Sequence, residues 1–125
     1  MTRKTSGRIQ FTFVGADALD DHFVFVAIGM TNHGAEEIQI SPSPMFQVQD
    51  ELGIQGNLDV GETKCGGFLA PGGKFLCHLS YAFFPSAPPT IQIRAADTTY
   101  HGVWFRVNVH PPLIKNGPRV QSRAQ

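Results

Sequence analysis

The stretch FLAPGGKFLCHLSYAFF, residues 68–84, sets a Pro-Gly turn before a long apolar run that contains a Cys-His pair. Read as a strand, it places Phe75, Cys77, Leu79, Tyr81 and Phe83 on one face and Leu76, His78, Ser80 and Ala82 on the other. Cys77 and His78 then point to opposite sides and form no dyad. The run is therefore structural, a core cysteine beside a surface histidine, and a strand of this length needs partners.

The flanking sequence supplies them. RIQFTFV at 8–14 alternates, with Ile9, Phe11 and Phe13 on one face. HFVFVAIGM at 22–30 is apolar on both faces, as a central strand of a covered sheet would be. TNHG at 31–34 reads as a tight turn in which Asn32 and Gly34 can take positive φ. Ile38 and Ile40 share a face, and SPSP then stops pairing because proline lacks an amide donor. Phe46 and Val48 begin another strand, DELG turns it, and residues 52–66 read as a Gly-rich loop holding one short strand.

Downstream of the quoted run FPSAPP breaks the strand, TIQIR resumes with Ile91 and Ile93 inward, and VWFRVNV aligns Val103, Phe105, Val107 and Val109. No segment keeps a 3.6-residue apolar period for three turns, so little or no helix is predicted. Seven or so strands about ten residues apart, joined by Gly, Pro, Asn and Asp turns, predict an all-β antiparallel sandwich over residues 8–110. Residues 1–7 read as a basic N-terminal tail and 111–125 as a Pro-containing basic C-terminal tail.

Composition agrees: 125 residues suffice for one hydrophobic core, and 13 Gly and 9 Pro with only 16% charged residues favour strands and turns over helices. The net charge is zero but uneven. Between residues 9 and 114 four bases face ten acids, a net of minus six, and such a body repels a phosphate backbone, so nucleic acid is not an expected partner. No window approaches the roughly 18 to 20 apolar residues of a spanning helix. The opening MTRKTSGRIQ has bases but no apolar run after them and does not read as a signal peptide. The compartment stays open between cytoplasm and a secreted form whose leader has been removed.

Cys65 and Cys77 flank the APGG turn almost symmetrically. In an oxidising compartment they would bridge and close a short loop; in a reducing one both are small buried hydrophobes. A copper site of two His, one Cys and an axial Met is not expected, because no Met follows Cys77. His22, His33, His78, His101 and His110 lie singly, without zinc spacing. Asp17, Asp20 and Asp21 lack the Gly and bidentate Glu of a calcium loop. No nucleophile motif stands out, so no catalytic residue, metal or cofactor is expected. The best binding candidate is the outward row of the last strand, Tyr100, Trp104, Arg106, Asn108 and His110, whose aromatics, guanidinium, amide and imidazole suit a partner or sugar surface. The alternative is that Trp104 is covered by the tail or a neighbouring sheet.

The apolar strand ending at Asn32, the D-x-x-G turn at 50–53, the L-x-P-G turn at 69–72 and the strand ending at Phe84 and Pro85 together resemble an uncharacterised family of immunoglobulin-like bacterial domains. These domains occur on lipoproteins and secreted proteins and are similar to the mycobacterial immunoprotective extracellular antigen. The resemblance covers about residues 10–109 and implies an immunoglobulin-like sandwich in an extracytoplasmic setting, with no catalytic residue to carry over. The expected function is a non-enzymatic interaction or structural module that presents a sheet face and loops to a protein partner. Homodimerisation by edge-strand pairing is a further expectation. The alternative is a small-ligand or carbohydrate-binding module that uses Trp104.

Overall fold

A computed structural model describes residues 2–98 and 100–112. Ten strands occur among these residues, in the order β1 (Arg3–Ser6), β2 (Ile9–Ala18), β3 (Phe23–Asn32), β4 (Ile38–Ile40), β5 (Phe46–Asp50), β6 (Asn57–Leu58), β7 (Gly67–Leu69), β8 (Lys74–Ala82), β9 (Thr90–Ala95) and β10 (Val103–Asn108). A single helical turn, α1 (Pro42–Met45), lies between β4 and β5. The strands form a five-stranded sheet ordered β1-β2-β3-β8-β6, a three-stranded sheet ordered β10-β9-β5 and a two-stranded pair β4-β7. Every ladder is antiparallel. The fold is an all-β antiparallel sandwich.

Period-two patterning builds the core. Cross-strand partners share a face, so Val24, Val26 and Ile28 of β3 lie beside Tyr81, Leu79 and Cys77 of β8, all buried. They close on Val48, Ile91, Ile93 and Phe105 of the second sheet. The prolines at 42, 44, 85, 88 and 89 fall at sheet-to-sheet crossings, as a residue without a donor should. No helix among the described residues is long and apolar enough to cross a membrane.

Three expectations are corrected. Residues 1–7 are not a tail throughout, since Arg3–Ser6 pairs with β2 as the edge strand β1. Its RKTS sequence has no apolar alternation because its side chains face mostly solvent. Asn32 and Gly34 do not adopt positive φ; the left-handed residues described are Thr98, Gly7, Gly53, Gly67 and Gly72. Asn32 ends β3 fully buried, and its amide donates to the carbonyls of Glu36 (2.8 Å) and Leu69 (2.9 Å) while its oxygen accepts from the Gly34 N–H (2.8 Å). It thereby holds the start of β4 and the end of β7 together. Finally, β3 is not covered on both faces, because Phe23, Phe25 and Ala27 on its outward side are only half-buried. The tail reading beyond residue 112 lies outside the described residues.

Two local devices fix the two ends of β10. A β-bulge between Phe13 and Gly15 bends β2. Past the bulge, β2 receives the end of the last strand in parallel, with Ala18 N–H to His110 O at 2.8 Å and His110 N–H to Ala16 O at 2.9 Å. Near the other end of β10, the turn between β1 and β2 is clasped to the loop after β9. The buried Asp97 carboxylate accepts from Arg8 Nε (2.9 Å), Arg8 Nη2 (2.8 Å) and the Arg8 backbone N–H (2.8 Å). Ser6 Oγ donates to the His101 carbonyl at 2.6 Å and accepts from the Asp97 N–H at 3.1 Å. Gly7, at φ +56, lies where any side chain would strike the Tyr100 ring.

Cys65 and Cys77 form a disulfide, with Cα atoms 4.7 Å apart. Lys64 exchanges backbone hydrogen bonds with His78 (2.7 and 3.0 Å), so the chain beside Cys65 is already paired to β8. Replacing both cysteines by Ala is expected to cost about 2 to 3 kcal/mol, read from urea denaturation against the oxidised wild type.

The Arg8 guanidinium and the Arg8 amide hold the Asp97 carboxyl below its ordinary range. A carboxylate whose folded pKa is depressed stabilises the fold above its unfolded value, near 3.9, and loses that contribution as pH falls. Asp97→Ala should therefore cost about 2 to 3 kcal/mol at neutral pH, somewhat less than for a fully buried pair because Arg8 is one-third exposed. The gap to wild type should narrow as denaturation is repeated at pH values falling below that unfolded value; a gap independent of pH would remove the ion pair from the account.

Candidate interaction surface

The outward face of the three-stranded sheet follows from the same alternation that buries Phe46, Val48, Ile91, Ile93 and Phe105. Register then lays out a grid. Trp104, Arg94 and Gln47 form one lateral row, Arg106, Gln92 and Gln49 the next, and Asn108 with Thr90 the third.

Hydrogen bonds join the middle of this grid into a chain. Gln55 Nε2 donates to Gln49 Oε1 (2.9 Å), Gln49 Nε2 to Gln92 Oε1 (2.8 Å), and Gln92 Nε2 to Glu51 Oε1 (3.4 Å). Glu51 in turn accepts from Arg106 in an exposed ion pair. Such a pair adds little stability, yet it fixes where the guanidinium lies.

Trp104 is 42% exposed, so it is not covered by a neighbouring sheet. Cations surround it. Arg94 is its cross-strand neighbour, with the side chain laid over Gly102. Lys4 donates its ammonium to the Trp104 carbonyl and stands 5.3 Å from the centre of the Phe105 ring. Lys4, Gln92, Trp104, Phe105 and Arg106 line a shallow hollow of about 290 Å³.

The predicted row is only partly brought together. Trp104, Arg106 and Asn108 share the sheet face, where the Asn108 oxygen accepts from Thr90 Oγ1 (3.4 Å). Tyr100 lies outside the strand, packed on Gly7. His110 sits at the bulged corner, its Nδ1 3.0 Å from Asp17 Oδ1. Sequence reasoning missed Lys4, because the N-terminus reads as a tail. It also missed Arg94 and the glutamines, although their alternation with Ile91, Ile93 and Val48 could have placed them on the face.

The other candidates resolve into structural roles. Cys77 is bonded and buried while His78 is exposed on the opposite face. Asp20 accepts the backbone N–H groups of His22 (2.8 Å) and Phe23 (3.0 Å), which hold its carboxyl below the ordinary range. No three His, Cys, Asp or Glu side chains converge into a metal-ligand group among the described residues.

No family model matches the sequence, and no curated protein does either. Solved structures do match in fold. The yjhA protein of Bacillus subtilis superposes with a TM-score of 0.63 at 16% identity, over 86% of this chain and 96% of that one. The ycdA protein of Bacillus subtilis subsp. subtilis str. 168, described as a candidate lipoprotein, superposes with a TM-score of 0.69 at 14% identity, over 86% of this chain. This chain spans only 38% of that protein's length. These likenesses establish the fold and reach a bacterial lipoprotein candidate, while no match supports the closer resemblance to the mycobacterial antigen.

A half-exposed indole should emit toward the red and be quenched readily by acrylamide. Trp104→Ala should change stability by less than about 0.5 kcal/mol. A blue-shifted, unquenched emission would instead bury the ring.

Proposed function

We propose that this domain is a non-enzymatic interaction module that docks a protein partner on the outward face of its three-stranded sheet. The observation that carries the reading is Trp104, 42% exposed and bordered by Lys4, Arg94 and Arg106. Exposed tryptophan and arginine are the residue types that dominate binding energy at interfaces. The face is cationic on a domain whose residues 2–112 carry seven bases against ten acids, a net of minus three, so an acidic partner surface is the complement it fits. Dimerisation by strand pairing has weaker support, because the outer edges of the large sheet are the four-residue, Arg- and Lys-bearing β1 and the two-residue β6. An extracytoplasmic setting is supported by the Cys65–Cys77 disulfide and by the likeness to a lipoprotein candidate.

A second reading, saccharide binding on the same face, is favoured by the amide chain from Gln55 to Glu51 beside the indole. Sugar hydroxyls take up amide donors and acceptors, and a sugar ring stacks on an aromatic face.

Matched affinity baits of wild type, Trp104→Ala and Arg94→Glu separate the readings. A protein ligand should be retained by wild type in a salt-sensitive way and lost about tenfold or more with either substitution. Retention unchanged in both variants would sink the surface as the docking site. Quenching of Trp104 by neutral glycans, insensitive to salt, would favour the second reading.

A further inference from the structure

Gly29 sits inside β3, the central strand of the large sheet, where glycine weakens a strand. Neither backbone nor packing requires it. Its φ lies outside the left-handed region, and an added Cβ would meet only Thr12, at 3.7 and 3.8 Å, an ordinary contact. The bulge in β2 lies opposite Ile28 and Ala27 rather than Gly29. A strand glycine of this kind often marks a face that a ligand approaches closely.

Register shows what surrounds the gap. Arg3, Thr12, Gly29 and Leu76 form one row across four strands, and Gln10, Thr31 and Lys74 form the next. This is the outward face, since the alternate residues Ile28, Met30 and Cys77 are buried. Leu76 is exposed on one side of the gap, and Val14, left unpaired by the bulge, is exposed on the other. Together they line a shallow hollow of about 480 Å³, within the about 300 to 1,000 Å³ usual for small-molecule sites. Arg3 and Lys74 stand on opposite banks, on strands three spacings or about 14 Å apart. Neither side chain has an acidic partner among the described residues, and no acid lines the hollow.

We propose that this hollow binds a small organic acid with an apolar body, an aryl or alkyl carboxylate. The body rests over Gly29 between Val14 and Leu76, and the carboxylate pairs with Arg3 or Lys74. Two unpaired cations select an anion, and the apolar walls select a body without polar groups, which disfavours a phosphate or a sugar. The site is on the other sheet from Trp104 and does not depend on what that face binds.

The test is an amide NMR titration of the folded chain with naphthoate and decanoate, with naphthalenemethanol as the neutral twin, acetate as the charge alone, and poly-glutamate. At least one of the two acids should shift the backbone amides of Thr12, Gly29, Thr31 and Leu76 and leave the Trp104 indole signal in place. The alcohol and acetate should each bind about tenfold more weakly, because each lacks half of the recognition. Arg3→Gln combined with Lys74→Gln should cost the acid about tenfold. Gly29→Val should abolish binding while keeping the urea midpoint at or above that of wild type, since valine suits a strand. No shift with either acid, or equal binding by the alcohol, by acetate or by either variant, overturns the proposal. A lower urea midpoint in Gly29→Val overturns it too, by returning the glycine to the needs of the fold. Tighter binding of poly-glutamate than of both acids would make the face a protein surface and likewise sink the small-ligand reading.

Discussion

The ion pair between Arg8 and Asp97 is the constraint on which the candidate surface depends. Asp97 is fully buried at the end of β9 and takes three hydrogen bonds from a single residue. A charge taken out of water in this way is held only while its partner stays in place. Arg8 therefore has to stay at the β1-β2 turn, and the turn, with Gly7 pressed against Tyr100, folds β1 back along β2. That path brings Lys4 to the Trp104 carbonyl and the Phe105 ring. Without the clasp, a four-residue edge strand of sequence RKTS has little apolar surface to hold it.

At the other end of β10 the constraint is register. The bulge at Phe13–Gly15 in the ladder with β3 bends β2 beyond its pairing with β1, and the hydrogen bonds to His110 then lock the last strand against Ala16 and Ala18. A slip of one residue would exchange every inward and outward side chain, burying Trp104 and exposing Phe105. With the strand tied at both ends, to Lys4 near Trp104 and to β2 at His110, that slip has no register in which both ties survive.

Period-two alternation made much of this legible in the residues. It separated Cys77 from His78, placed Ile91, Ile93 and Phe105 inside, and put Trp104, Arg106 and Asn108 on one outward row. Turn chemistry was legible too: Gly53 and Gly72 take the left-handed conformation at the D-x-x-G and L-x-P-G turns. Asn32 was misread because an Asn before a glycine turn resembles a left-handed residue, whereas it acts through side-chain bonds to groups as distant as Leu69. Arg3–Ser6 escaped notice because an edge strand held by backbone pairing and by contacts about ninety residues away carries no local pattern. Tyr81 was correctly inward, but alternation cannot say what a hydroxyl meets once it is there.

The face is also arranged before anything binds it. Each glutamine in the chain from Gln55 to Gln92 is held by its neighbour, and Glu51 holds Arg106. Immobilising a long side chain at an interface costs on the order of 1 kcal/mol, so side chains already tethered leave less of that cost to the encounter. Lys4 is tied to the Trp104 carbonyl, which leaves Arg94 as the cation of the face whose side chain has neither a hydrogen bond nor an acidic partner among the described residues. A partner's carboxylate meeting Arg94 would gain a new pair and break none. At Arg106 it would have to displace Glu51. The first contact on this surface is therefore expected beside Trp104, at the end of the grid away from the bulged corner, and the glutamine chain extends it toward β5.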